Sequence, residues 1–220
     1  GYHADADGMA AAKILIDFLL EQGFSLPNLL LYPTNAPQRT LESYQENEIS
    51  QLKPDTLIYL DLCMELPDTA LKFKPFVKKI VSIDHHFIKP ANAQGYDLVI
   101  NSTTYQELTK PQVHTASKMM NSLFYNTKND WLEIIGLEGD VAVSSMPGTL
   151  SWRASEILNI LGLSAKPDED PSEQQNRRNS LLKCLLDSNS LESFLSNFDN
   201  HPTLSQTYAA LVSLPINSFM

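Results

Sequence analysis

Apolar runs that end abruptly in aspartate or histidine constrain this chain more than any other feature. DTLIYLDLC (55–63) and KKIVSIDHH (78–86) are short and rich in apolar and β-branched residues, and they run out into Asp61 and into Asp84, His85 and His86. Runs of that length and make-up read as buried strands. NLLLYP (28–33) and YDLVINST (96–103) read the same way. GMAAAKILIDFLLEQG (8–23) is rich in good helix formers and ends in glycine, so it reads as a helix. VHTASKMMNSLFY (113–125) and DWLEIIGLEGDVAVSS (130–145) read as two more. Strands that alternate with helices are joined by crossovers, so the expected fold is α/β, a mostly parallel sheet with helices on both faces.

The pattern changes after Ser145. SSMPGTL breaks it, SAKPDEDPSEQQN is a polar loop with two prolines, and the remaining segments read as helices without a further strand. Two units are expected: residues 1–148 as the α/β domain, and 149–220 as a helical appendage or the start of a linker to a second domain. The chain begins at Gly1 without an initiator methionine, which reads as a fragment or an engineered start.

In open parallel sheets, ligands bind outside the carboxyl ends of the strands. Asp61, Asp84, His85 and His86 stand at two such ends. His3, Asp5 and Asp7, in the opening GYHADADG, stand where a turn leads into the first helix. Three separate segments thus bring carboxylates and imidazoles toward one edge. That mixture suits Mn²⁺, Co²⁺, Zn²⁺ or Fe²⁺, whereas carboxylates and water alone would suit Mg²⁺ or Ca²⁺. The groups outnumber what one ion takes from a protein. Two ions are expected, ~3.5–4 Å apart around a shared carboxylate, as in sites that cleave phosphoesters.

In these residues the chain resembles the DHH phosphoesterase superfamily, in the branch of RecJ-like exonucleases and oligonucleotide phosphodiesterases. HADADG resembles its first motif, LDLC its second, DHH at 84–86 its third and GLEGDVA (136–142) its fourth. All four stand in order over about the first two-thirds of the chain. The resemblance implies a parallel-sheet DHH domain and a divalent pair, Mn²⁺ above all, with Mg²⁺ or Co²⁺ as substitutes. It implies His3 and Asp5 on the first ion, Asp7, His85 and Asp140 on the second, and Asp61 bridging. Asp84 would orient a neighbouring histidine, and His86 would face the substrate phosphate. Without the resemblance, Asp140 reads as a carboxylate on a helix face. Thr115 and Ser117 read as caps of their helix or as phosphate contacts, and His114 as a cap. Cys63 reads as a buried thiol, and Phe124, Tyr125 and Trp131 as core.

The expected activity is hydrolysis of nucleotidic phosphodiester bonds, in single-stranded nucleic acid or short oligonucleotides. Two alternatives stay open: hydrolysis of a small phosphate compound (a cyclic dinucleotide, a nucleotide bisphosphate, pyrophosphate), or a non-catalytic DHH-fold binding protein. The family's glycine-rich substrate-binding segment has no counterpart among eight scattered glycines, and Arg153, Arg177 and Arg178 are the nearest basic candidates. With 26 acidic against 16 basic residues, the net charge argues against strong non-specific binding to long nucleic acid. No apolar run approaches the ~20 residues of a membrane span. Cys63 and Cys184 argue against a disulfide framework, so the cytoplasm is the expected compartment. The oligomeric state is left open.

Overall fold

The computed structural model of the chain describes residues 1–34, 40–62, 69–86, 88–102, 115–124, 129, 132–134 and 136–137. Asp140, Cys63, His114, Tyr125, Trp131, the three arginines and the whole 149–220 unit lie outside the described residues.

Among the described residues, five parallel strands form one sheet: β1 (Tyr2–His3), β2 (Pro33–Thr34), β3 (Thr56–Leu60), β4 (Lys79–Asp84) and β5 (Leu98–Asn101). Their order is β2-β1-β3-β4-β5. Tyr59 stands opposite Ser82 between β3 and β4, and Asp84 opposite Asn101 between β4 and β5. Successive side chains of a strand face opposite sides of the sheet, and here both sides are covered. Leu57 and Tyr59 enter one core, with Ile80, Phe73 and Ile49. Ile58 and Leu60 enter the other, with Ile83, Met9, Ile14 and Met120.

Helix α1 (Ala6–Glu21) and helix α3 (Ala116–Leu123) cover that second face, and helix α2 (Ser43–Leu52) covers the first. The first turn of α1 starts two residues earlier than the sequence suggests, because the Asp5 side chain caps it, accepting the Gly8 N–H at 3.0 Å. Ala10, Ala11 and Ala12 are buried, so α1 lies close on the sheet. Phe18 of α1 stacks on Phe124 just past α3, with ring centroids 4.2 Å apart, which makes Phe124 part of the packing.

Two local expectations need correction. The strand expected at 28–33 is a 3₁₀ turn at Leu26–Asn28, followed by the two-residue β2. A strand needs a partner ladder, and β1 pairs with this segment only at Tyr2↔Pro33 and His3↔Thr34. Pro33, which has no N–H, is tolerated because β2 is an edge strand among the described residues. Helix α2 was not expected at all. Glu42 N–H donates to Gln45 Oε1 at 2.8 Å to open it, and Gln45 Nε2 ties it to Pro33 O at 2.9 Å.

The strand order reverses direction at β1, with β2 on one side and β3 to β5 on the other. Such a switch point leaves a crevice at the carboxyl ends of β1 and β3. Among the described residues, no helix is long and apolar enough to cross a membrane.

Candidate metal centre

Every predicted site residue among the described ones lies at or just past the carboxyl end of a strand, or in the first turn of α1. His3 ends β1, Asp5 caps α1, Asp7 lies in its first turn, Asp61 follows β3, Asp84 ends β4, and His85 and His86 follow it. Asp61 is central and only 1% exposed. Its Oδ2 lies 3.5 Å from His3 Nδ1, while its Oδ1 lies 3.2 Å from His85 Nε2 and 3.6 Å from His86 Nδ1. One carboxylate therefore shows its two oxygens to two different sets of donors. The backbone is bent to do so. Asp61 has φ 55°, in the left-handed region that aspartate tolerates better than most residues, and its N–H still donates to Ile83 O at 3.0 Å.

His3, Asp5 and Asp61 form one group whose ligand atoms all lie within 4.8 Å of one another, and Asp61, Asp84, His85 and His86 form a second. In the first, His3 Nδ1 is 2.5 Å from Asp5 Oδ2. Nδ1 thus faces the carboxylates of Asp5 and Asp61, while Nε2 is buried with no hydrogen-bond partner. The carboxylates of Asp5 and then Asp61 push the His3 imidazole up to about 10. Burial works to raise Asp5, but His3 and the Gly8 N–H outweigh it and hold its carboxyl below the usual range. A positive charge is thus favoured between these groups.

In the second group, Asp84 Oδ1 accepts the backbone N–H of His86 at 2.9 Å and sits 2.7 Å from its Nδ1. The carboxylate therefore fixes both the backbone and the ring of His86. Extended backbone would send two adjacent histidines to opposite faces. Here the strand ends at Asp84, and the two rings lie 4.2 Å apart on the same side.

Asp7 is fully buried and 3.8 Å from His85 Nε2 through its Oδ2, while α3 donates to both of its oxygens. Thr115 caps α3, its hydroxyl oxygen accepting the Lys118 N–H at 3.2 Å. Ser117 instead directs its hydroxyl at Asp7. Sequence reasoning missed Asn101, which is buried at the end of β5 and donates through Nδ2 to His86 O at 2.7 Å. It is a polar residue closing an apolar run, the signal that singled out Asp61.

Oxygen and imidazole nitrogen donors, buried carboxylates and the buried, unpartnered Nε2 of His3 together fit a divalent cation. Fold and site thus define an open parallel α/β protein with a carboxylate–histidine centre at its switch point. No protein-family model and no curated relative matches the sequence. Among solved structures, the chain is similar to exonuclease RecJ bound to manganese, at 15% identity and a TM-score of 0.58, over 96% of this chain and 59% of that one. It is also similar to RecJ from Thermus thermophilus in complex with Mn²⁺, at 14% identity and a TM-score of 0.52, over 93% of this chain and 34% of that one. The likeness establishes the fold. The chain spans less than two-thirds of either RecJ chain.

Proposed function

We propose that this chain carries the catalytic DHH centre of a two-metal phosphodiesterase acting on single-stranded or short nucleic acid. The observation that carries the reading is Asp61, which presents one oxygen to His3 and the other to His85 and His86. His3, Asp5 and Asp61 would hold one ion. Asp61, His85 and Asp7, with Asp140 by resemblance, would hold the other. Such ions supply Lewis acidity toward a phosphoryl oxygen and make water a nucleophile near neutral pH. Mn²⁺ is the first choice, since both RecJ structures hold manganese.

The protein's own groups do the positioning. Asp84 holds His86 with its ring toward Asp61, where it can donate to a phosphate oxygen as charge develops. Asn101 anchors the carbonyl of the same residue. The buried Asp61 and Asp84 keep the centre acidic and selective for cations.

The test is hydrolysis of a labelled five-nucleotide strand and a long single strand, with and without Mn²⁺. Asp61→Asn and Asp84→Ala run beside the unaltered chain. Cleavage that needs Mn²⁺ and is lost in both variants supports the proposal, and preference for the short strand points to an oligonucleotide substrate. A folded chain that binds Mn²⁺ but cuts neither strand counts against nuclease activity.

A further inference from the structure

Asp7 is gripped by groups more than a hundred residues away in sequence. Its Oδ2 accepts the Ala116 N–H at 2.6 Å. Its Oδ1 accepts the Ser117 N–H at 2.9 Å and the Ser117 hydroxyl at 2.5 Å. All three donors belong to the first turn of α3, where the helix dipole also favours a negative charge. A carboxylate offers about four acceptor positions. With two of these donors on Oδ1, that oxygen is turned to α3, and Oδ2 is the one that lies 3.8 Å from His85 Nε2.

Two features show that the arrangement is more than a helix cap. Thr115 caps α3 through the Lys118 N–H, and its hydroxyl also lies 2.9 Å from the Ser117 hydroxyl, so Ser117 ties the cap of α3 to Asp7. Gly136, in the segment read as the fourth motif, closes the seat from the other side. A Cβ there would lie 2.0 Å from Ser117 Oγ and 2.5 Å from Asp7 Oδ1. A side chain at 136 would need Ser117, Asp7 or the 136 backbone to shift.

We infer that Ser117 and Gly136 are positioning residues: together they hold Asp7 so that Oδ1 stays on α3 and Oδ2 can share a divalent cation with His85. The inference rests on the metal centre proposed above. Hydrogen bonds behind a ligating carboxylate set its orientation, and their loss costs about 10–100-fold in metal affinity.

The experiment is Mn²⁺ titration, by calorimetry and by EPR of free Mn²⁺, of the unaltered chain, Ser117→Ala, Gly136→Ala and Ile49→Val. Ile49 is buried on the opposite face of the sheet, so its variant reports what lost packing alone does to binding. Hydrogen exchange at the Ala116 and Ser117 amides, without metal, reads the seat itself. The expected result is a 10–100-fold loss of Mn²⁺ affinity in Ser117→Ala, at least as much in Gly136→Ala, and little change in Ile49→Val. Both amides should exchange slowly and be released in Asp7→Ala. Ser117→Ala binding Mn²⁺ as the unaltered chain does, or Ile49→Val losing as much affinity, would overturn the inference. An unaltered chain with protected amides but no Mn²⁺ binding overturns the metal centre instead, and the cation-sharing role falls with it.

Discussion

Replacing Gly8 by alanine isolates the junction between β1 and α1. Gly8 lies in the first turn of α1, and a Cβ there would sit 2.2 Å from His3 O and 2.9 Å from His3 C. Carbon and oxygen approach comfortably at roughly 3.2–3.5 Å, so His3 or the helix must move by about 1 Å. Two effects compete. Alanine in a helix is favoured over glycine by about 1 kcal/mol. Overpacking against atoms that cannot rotate away costs about 1–3 kcal/mol, and the atoms here are backbone. The clash outweighs the propensity gain, for a net loss of up to about 2 kcal/mol, or up to about 8 °C in Tm for a chain of this size. Function should suffer more than stability. A 1 Å misplacement of a reacting group costs on the order of 100-fold in rate, and His3 is the residue displaced. Thermal melting and Mn²⁺-dependent hydrolysis of Gly8→Ala check both. An alanine variant with a raised Tm and unchanged Mn²⁺ affinity would refute this account of the junction.

Asp61→Asn should fold, because asparagine also tolerates the left-handed backbone at φ 55°, yet Mn²⁺ affinity should drop by more than about 100-fold as both donor groups lose their shared ligand; circular dichroism beside calorimetry separates the two. Asn101→Ala removes the amide that donates to His86 O and should cost about 1–3 kcal/mol in urea unfolding, since that carbonyl loses a buried partner. With His3 pushed up to about 10, the metal-free chain carries a proton there at pH 7, and a histidine must shed it to ligate. Mn²⁺ affinity should therefore rise by up to about tenfold per pH unit from 7 toward 9, with about one proton released per site filled. Calorimetry in two buffers of different ionisation enthalpy measures that release. In the metal-free chain the sign is opposite: the stability from His3 is whole below pH 6.5 and is lost as pH rises through about 10, which melting curves across that range would show.

The rule that polar residues close apolar strands made most of the site legible. Asp61, Asp84, His85 and His86 were marked by it, and the alternation of apolar runs with helices gave the parallel sheet. What escaped depends on contacts between distant segments. Helix α2 buries only Gln45 and Ile49, too narrow a stripe to read as amphipathic, and Gln45 finds its partner at Pro33. The two-residue β2 is defined by its pairing with β1 and not by its own composition. Asp7 could be picked out as a metal-type carboxylate, but its grip on α3 links residues 109 and 110 positions apart, which no local pattern reports. Asn101 carried the same signal as Asp61 and was missed because it stood alone without a second metal-type residue beside it.

The most direct test of the central claim is anomalous diffraction at the manganese edge from crystals soaked in Mn²⁺. The account predicts two peaks about 3.5–4 Å apart, one beside His3 and Asp5 and one beside His85, with the Asp61 carboxylate between them. A single peak away from Asp61, or no peak from a chain at full Mn²⁺ occupancy in solution, would contradict it.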